Sequence, residues 1–216
     1  MKKIYPLAFF VFCGSCLFAQ SELAISAGSS IPVGDFSSTE GGVAQPGFVG
    51  TLFYVHAPHE ERKLRTAAMV RYQSNSIDKT AFAKILAGST VSATNWTSIS
   101  VLIGPVLKLK VSEKSAFEPR FLLGYTAATS PDVTITSGAS SVKIKSDNAG
   151  TFGIVLGTDF KLMVSKRASL IAGIDYFSAN PKFTLGASGS GGNASNDATQ
   201  QMSALNISVG MSFKLK

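Results

Sequence analysis

Eleven charged residues recur at positions where every second neighbour is apolar. They are Glu22, Glu118, Asp159 and Asp175, with Arg65, Arg71, Lys108, Lys110, Arg120, Lys161 and Lys214. Gathered away from water, such groups must pair or hydrogen-bond, because an unpaired buried charge is costly. Two kinds of chemistry suit the set. Paired, it is an internal salt-bridge network. Left open, its cation excess would line a narrow path that prefers anions. Covalent catalysis has less to draw on. A nucleophile needs a base within hydrogen-bond reach, and the only histidines are His56 and His59, beside Glu60 and Glu61. No other histidine can be carried toward a serine, so no catalytic residue is expected. His56, His59 and Glu60 have the right donor types for a metal. The run Pro58-His59-Glu60-Glu61-Arg62-Lys63 reads instead as a solvated turn, and no metal or other cofactor is expected. Cys13 and Cys16 have the spacing of a redox pair. Gly186 to Gly192 is Gly/Ser-rich but lacks the Lys-Ser/Thr ending of a phosphate loop, and it reads as a flexible loop.

The cysteines lose their interest once the N-terminus is considered. Lys2 and Lys3 precede an apolar run from Ile4 to Phe18, which closes at Leu17-Phe18-Ala19-Gln20. That is a secretory signal peptide over residues 1–19, and cleavage would remove both cysteines. A lipoprotein signal ending at Cys16 is the weaker alternative. Cys13-Gly14-Ser15 lacks the large aliphatic residue expected three positions upstream. The remainder, residues 20–216, is about 195 residues, which suits one domain. The formal charge is +7, of which Lys2 and Lys3 contribute two. The other basic residues are scattered, so nucleic acid is not an expected partner. The chain is 45% hydrophobic and only 15% charged, with no run long enough for a membrane-spanning helix. Apolar character of this kind suits a lipid-facing β-barrel.

The elements that would position the charges are strands. In Ile99 to Val111 the odd positions are apolar, while Ser98, Ser100, Gly104, Lys108 and Lys110 take the other face; Leu102 and Val106 are exceptions. The alternation recurs from Phe117 to Thr126, Phe152 to Leu162, Ser169 to Tyr176 and Leu205 to Leu215. Three earlier segments are less clean: Leu23 to Ile31, Leu64 to Gln73, and Phe48 to Ala57, which is apolar on both faces. Short charged links at 58–63, 112–115 and 164–167 alternate with long ones at 32–47, 74–95, 127–150 and 178–200. This predicts an all-β fold: an eight-stranded antiparallel up-and-down transmembrane β-barrel. Its short turns and both termini would lie on the periplasmic side, with four long loops outside the cell. Tyr72, Tyr125, Phe152 and Tyr176 fall near the loop ends and Phe117, Phe160 and Phe213 near the turn ends, as two interfacial belts. Strict alternation points Trp96 into the lumen, which requires either a bulge or a cap at the barrel mouth.

Three segments carry a family resemblance. They are Gly28-Ser29-Ser30-Ile31-Pro32-Val33-Gly34-Asp35-Phe36, Ser208-Val209-Gly210-Met211-Ser212-Phe213-Lys214-Leu215-Lys216, and the signal ending Phe18-Ala19-Gln20. The chain resembles small outer-membrane β-barrel proteins of the Bacteroidota type. It is similar in architecture to enterobacterial outer-membrane proteins A and X. It departs from proteobacterial assembly signals by running three residues past Phe213. The resemblance implies location in the cell outer membrane, contact with its lipid, and insertion by the outer-membrane assembly machinery. It implies no particular function.

On this reading the charged faces meet in a lumen that eight strands leave just wide enough for side chains to fill. The expected role is structural or interactive, with a plugged barrel exposing its loops; the alternative is a small anion-preferring pore. Val133-Thr134-Ile135-Thr136 and Val142-Lys143-Ile144-Lys145 read as a hairpin at 133–145, whose protruding edge could add a partner's strand. Residues 81–87 read as a short helix over the mouth. The rival fold, a soluble lipocalin-like barrel, would turn the apolar face inward.

Overall fold

The computed structural model describes residues 21–57, 62–80, 89–138, 140–189 and 192–215. The signal segment, the histidine-bearing turn at 58–61 and the segment read as a short helix at 81–87 lie outside them. Eight strands close into one antiparallel barrel. They are β1 (Glu22–Pro32), β2 (Ala44–His56), β3 (Leu64–Ile77), β4 (Trp96–Leu107), β5 (Ser115–Thr129), β6 (Ala149–Met163), β7 (Ala168–Ala179) and β8 (Met202–Lys214). Each pairs with its neighbours in sequence, and β8 closes the ring on β1 with Glu22 opposite Lys214. Leu109–Lys110 continues the line of β4 against β5. Among the described residues, no helix is long and apolar enough to cross a membrane.

Two of the short turns are built by serine. Ser112 accepts hydrogen bonds at its hydroxyl from the Lys114 and Ser115 N–H groups. Ser165 does the same for Arg167 and Ala168. A hydroxyl that satisfies the turn's own amides lets the chain reverse without further residues.

Alternation decides the rest. Ile103, Leu156 and Val209 are 57%, 60% and 67% exposed, whereas Leu122, Val155 and Phe177 are wholly buried. Of thirty large apolar side chains exposed among the described residues, Val142 belongs to the loop sheet and Val111 and Val164 to the short turns. The others form a girdle around the wall, far more than a water-soluble surface carries. The apolar face is therefore the outer one, contrary to the lipocalin-like alternative. Phe117 and Phe160 meet at 5.3 Å in the turn-side belt, and Tyr125 lies opposite Phe152 in the loop-side belt.

Two irregularities in the sequence pattern resolve here. Leu102 and Val106 point inward, where they pack with Phe53, Met69, Leu122 and Phe177. The two-sided apolar segment of β2 takes its register from its neighbours. Thr51 pairs across with Ser26 through a 2.6 Å hydroxyl contact. That places Val49, Phe53 and Val55 inside and Phe48 and Leu52 outside.

At the loop end, three of the four long connections join into a second, five-stranded antiparallel sheet. Its order is Gly192–Thr199, Lys182–Gly189, Ser140–Ser146, Val133–Ser137 and Thr90–Ala93. The hairpin expected at 133–145 is present, turning at Gly138 with φ +57°. The protruding free edge expected of it is not. Thr90–Ala93 covers one side and Lys182–Gly189 the other. The reason is proximity: loops from adjacent strand pairs leave the rim side by side, and each supplies the unpaired backbone groups the next one needs.

Candidate functional site

The barrel interior is stacked in layers. Nearest the turns, β1, β3, β5 and β6 contribute Glu22, Arg65, Glu118 and Lys161. Lys161 Nζ lies 2.5 Å from Glu22 and 2.7 Å from Glu118. Arg65 Nη1 lies 3.3 Å and 3.8 Å from the same two carboxylates. Charges of opposite sign thus alternate around a ring.

The next layer holds Arg71, Arg120, Asp159 and Asp175. Arg120 pairs with Asp159 on the adjacent β6 and reaches Asp175 on β7 at 3.4 Å. Arg71 Nη1 meets Asp175 Oδ1 at 2.8 Å, and Asn206 of β8 donates to the same oxygen at 2.9 Å. The guanidinium of Arg71 also sits 4.5 Å over the Phe177 ring, and that of Arg120 5.4 Å over Phe53. Aromatic faces complement a cation where no further carboxylate is available.

Above this, β3 carries a polar ladder at every second position. Arg71 donates to Gln73 at 2.7 Å, and Gln73 donates to Asn75 at 2.7 Å. Asn75 donates in turn to the carbonyls of Ser30 and Gln45. The mouth is then closed by an apolar layer. Trp96 meets Phe36 at 5.7 Å and Phe183 at 5.8 Å, with Met202, Ala44, Ala128 and Ala149 packed around them. The indole N–H donates to the Gly42 carbonyl at 2.8 Å. Trp96 therefore follows strict alternation and caps the mouth. Phe36 reaches it from a single 3-10 turn, Gly34–Phe36, in which Gly34 takes φ +61°, a conformation that favours glycine.

Of the eleven charged residues singled out in the sequence, eight meet in the two ionic layers, four carboxylates against four cations. The other three do not join them. Lys108 is half-buried beneath the first ring and, among the described residues, has no carboxylate ion pair. Lys110 is exposed, and Lys214 is half-buried. Alternation tells which side of a strand a residue faces but not how far along the barrel axis it lies. At these positions the inward face has run past the closed interior onto the rim. His56 ends β2 at the same rim. Among the described residues, no group of three His, Cys, Asp or Glu could hold a metal ion.

Sequence reasoning missed the polar ladder and most of the cap. Gln73 and Asn75 share the inward face of Arg71, so the alternation already contained them. Phe36, Phe183 and Met202 come from three separate places in the chain, and no periodic signal joins them.

The ring of eight antiparallel strands, the lipid-facing girdle and the filled interior define the fold as that of a small outer-membrane β-barrel. A major outer membrane protein from Thermus thermophilus superposes with a TM-score of 0.58 at 12% identity, covering 90% of this chain and 98% of that one. The outer membrane protein OprG from Pseudomonas aeruginosa does so with 0.53 at 13% identity, covering 91% and 96%. No protein-family model matches the chain, and no curated protein does. At such identities the likeness is one of fold.

Proposed function

We propose that this protein is a structural or interaction barrel of the cell outer membrane, with a lumen plugged by its own side chains. Residues 1–19 act as an export signal, and residues 20–216 insert with the help of the outer-membrane assembly machinery. The turns face the periplasm and the loop sheet faces outward as the surface offered to partners. Addition of a partner's strand is confined to the outer edges of that sheet, Thr90–Ala93 and Gly192–Thr199, because the 133–145 hairpin is covered on both sides.

One observation carries the reading. Among the described residues the buried carboxylates and cations are equal in number and paired, and a Trp96-centred apolar layer lies across the loop-side mouth. Equal charge makes the interior a poor filter for either sign, and an apolar plug gives a hydrated ion nothing to bind. The competing reading, an anion-preferring pore, needs cations in excess along an open path. Conductance of the refolded protein in planar bilayers separates the two. The plugged barrel shows no steady channel current, and a persistent anion-selective current overturns the proposal.

A further inference from the structure

The parts of the loop-side cap are held in different ways. Trp96 stands on β4, Met202 on β8 and Phe183 in the loop sheet. Phe36, wholly buried, comes from the connection between β1 and β2, residues 33–43, which contributes no strand to that sheet. This connection bonds mostly to itself. The Gly41 and Val43 N–H groups donate to the Ser38 carbonyl at 3.3 and 3.1 Å, and that of Gly42 donates to Asp35 at 2.9 Å. Gly41 lies against the Asp35 carbonyl and Gly42 against Phe36, and neither has room for a β-carbon. Residues 34–43 are thus one compact body, packed like an Ω-loop.

Both ends of that body have φ in the left-handed region, Gly34 at +61° and Val43 at +48°. Glycine takes this conformation freely. In valine the β-carbon crowds a carbonyl oxygen, and the branch worsens the crowding. Among the described residues, Val43 is the only non-glycine with positive φ. Such strain persists only where the surroundings hold it. Here the Val43 side chain is buried, and its carbonyl accepts from the Asp78 N–H at 2.9 Å. One residue earlier, the Gly42 carbonyl accepts from the Trp96 indole at 2.8 Å.

We propose that residues 34–43 are a strained lid that lifts as one body about Gly34 and Val43. Closed, it seats Phe36 against Trp96 and carries the strain at Val43. Open, it breaks the Trp96–Gly42 hydrogen bond, parts the two rings and lets Val43 relax. Water and small polar solutes from the loop side then reach the ladder of Gln73 and Asn75 beneath. The ionic layers below stay paired, so the lid gates the ladder and not a channel. A plugged barrel needs no movable cap, so the lid is a further property of this chain.

The test is hydrogen exchange followed by NMR on the isotope-labelled mature chain, folded in maltoside micelles. Trp96 is the single tryptophan, so its indole N–H gives one signal. After correction for intrinsic rates, that proton should exchange roughly tenfold or more faster than the β5 amides and the Gly42 amide, which is bonded within the lid. The Gln73 side-chain amide should be released in step with it. V43G and V43A both lose the isopropyl group and differ only in the β-carbon. Indole exchange should be slower in V43G than in V43A by about threefold or more, because glycine relieves the strain of the closed lid. At an unstrained position the order is reversed, since the extra freedom of glycine favours the open state. Should the variants fail to refold, the indole, Gly42 and β5 rates of the unmodified chain still decide whether the lid lifts. An indole proton that exchanges no faster than the β5 amides, or only together with the Gly42 amide, overturns the proposal. So does indole exchange in V43A as slow as in V43G.

Discussion

Replacing Asp175 by alanine should be among the most damaging single changes in the barrel. Its Oδ1 accepts from Arg71 at 2.8 Å and from Asn206 at 2.9 Å, while its Oδ2 faces Arg120 at 3.4 Å. Arg120 would keep Asp159. Arg71, whose side chain is wholly buried, would keep only the Gln73 amide and the face of Phe177. Removing one partner of a buried ion pair costs about 3–5 kcal/mol, because the remaining charge is left uncompensated. That is a drop of roughly 10² to 10⁴ in the folding equilibrium constant, at about 1.4 kcal/mol per decade. The contact with Phe177 offsets none of it, since it is present before and after. The assay is denaturant unfolding of vesicle-inserted protein, followed by intrinsic fluorescence. The matched control is Arg71→Met combined with Asp175→Leu. Replacing both charges by apolar groups of similar volume is often near neutral, so the double variant should recover much of the loss. A D175A protein within about 0.5 kcal/mol of the unmodified one, the scatter of ordinary surface substitutions, would refute the argument. So would a double variant as unstable as D175A.

Glu118→Ala should be milder, at about 1–3 kcal/mol in the same assay, because its loss removes charge-assisted bonds without stranding a cation. Lys161 and Arg65 both retain Glu22; a loss as large as that of D175A would contradict the ring geometry. Trp96 is the single tryptophan, so fluorescence reports the cap alone. Emission should be blue-shifted and poorly quenched by acrylamide, with a red shift on Phe36→Ala; water-like emission from the folded protein would remove the cap from the account. In the loop sheet, a hydrogen bond from Lys182 and its charge hold the Asp197 carboxyl below its ordinary value, while the same bond holds Lys182 above its own. The contribution of Asp197 is thus present above the ordinary aspartate range and is lost as pH falls through its lowered value. That of Lys182 is present below the ordinary lysine range and is lost as pH rises through its raised value. Hydrogen exchange of the 182–199 hairpin should therefore quicken below the aspartate range relative to neutral pH once intrinsic rates are removed. Asp197→Asn should remove that acid dependence; acid dependence that survives the substitution would assign it elsewhere.

The ionic layers were legible in unequal measure. Glu22, Arg65, Arg71, Glu118, Arg120, Asp159, Lys161 and Asp175 could be assigned to one interior because each sits on the polar side of an alternating strand. Which of them pair could not be read, since pairing depends on strand stagger. Arg65 on β3 meets Glu22 on β1 across the intervening β2, and Lys161 on β6 reaches across the lumen to Glu22 on β1. Lys108, Lys110 and Lys214 obey the same alternation and yet fall at the rim. Phe48 to Ala57 shows the opposite case. With both faces apolar, its own residues do not choose a side, and contact with β1 and β3 makes the choice.

Period-two hydropathy and the alternation of short charged turns with long links were enough to specify eight strands, their order and an apolar exterior. These follow from local backbone geometry, in which successive side chains point to opposite faces and a tight turn forces neighbours to pair. The depth of each charge, the partners that build the cap around Trp96 and the union of three loops into one sheet came only with the tertiary structure. Each brings together residues far apart along the chain, as when Phe36, Trp96, Phe183 and Met202 converge at one mouth. Contacts of that kind are set by how the strands stagger around the ring, a quantity no single segment contains.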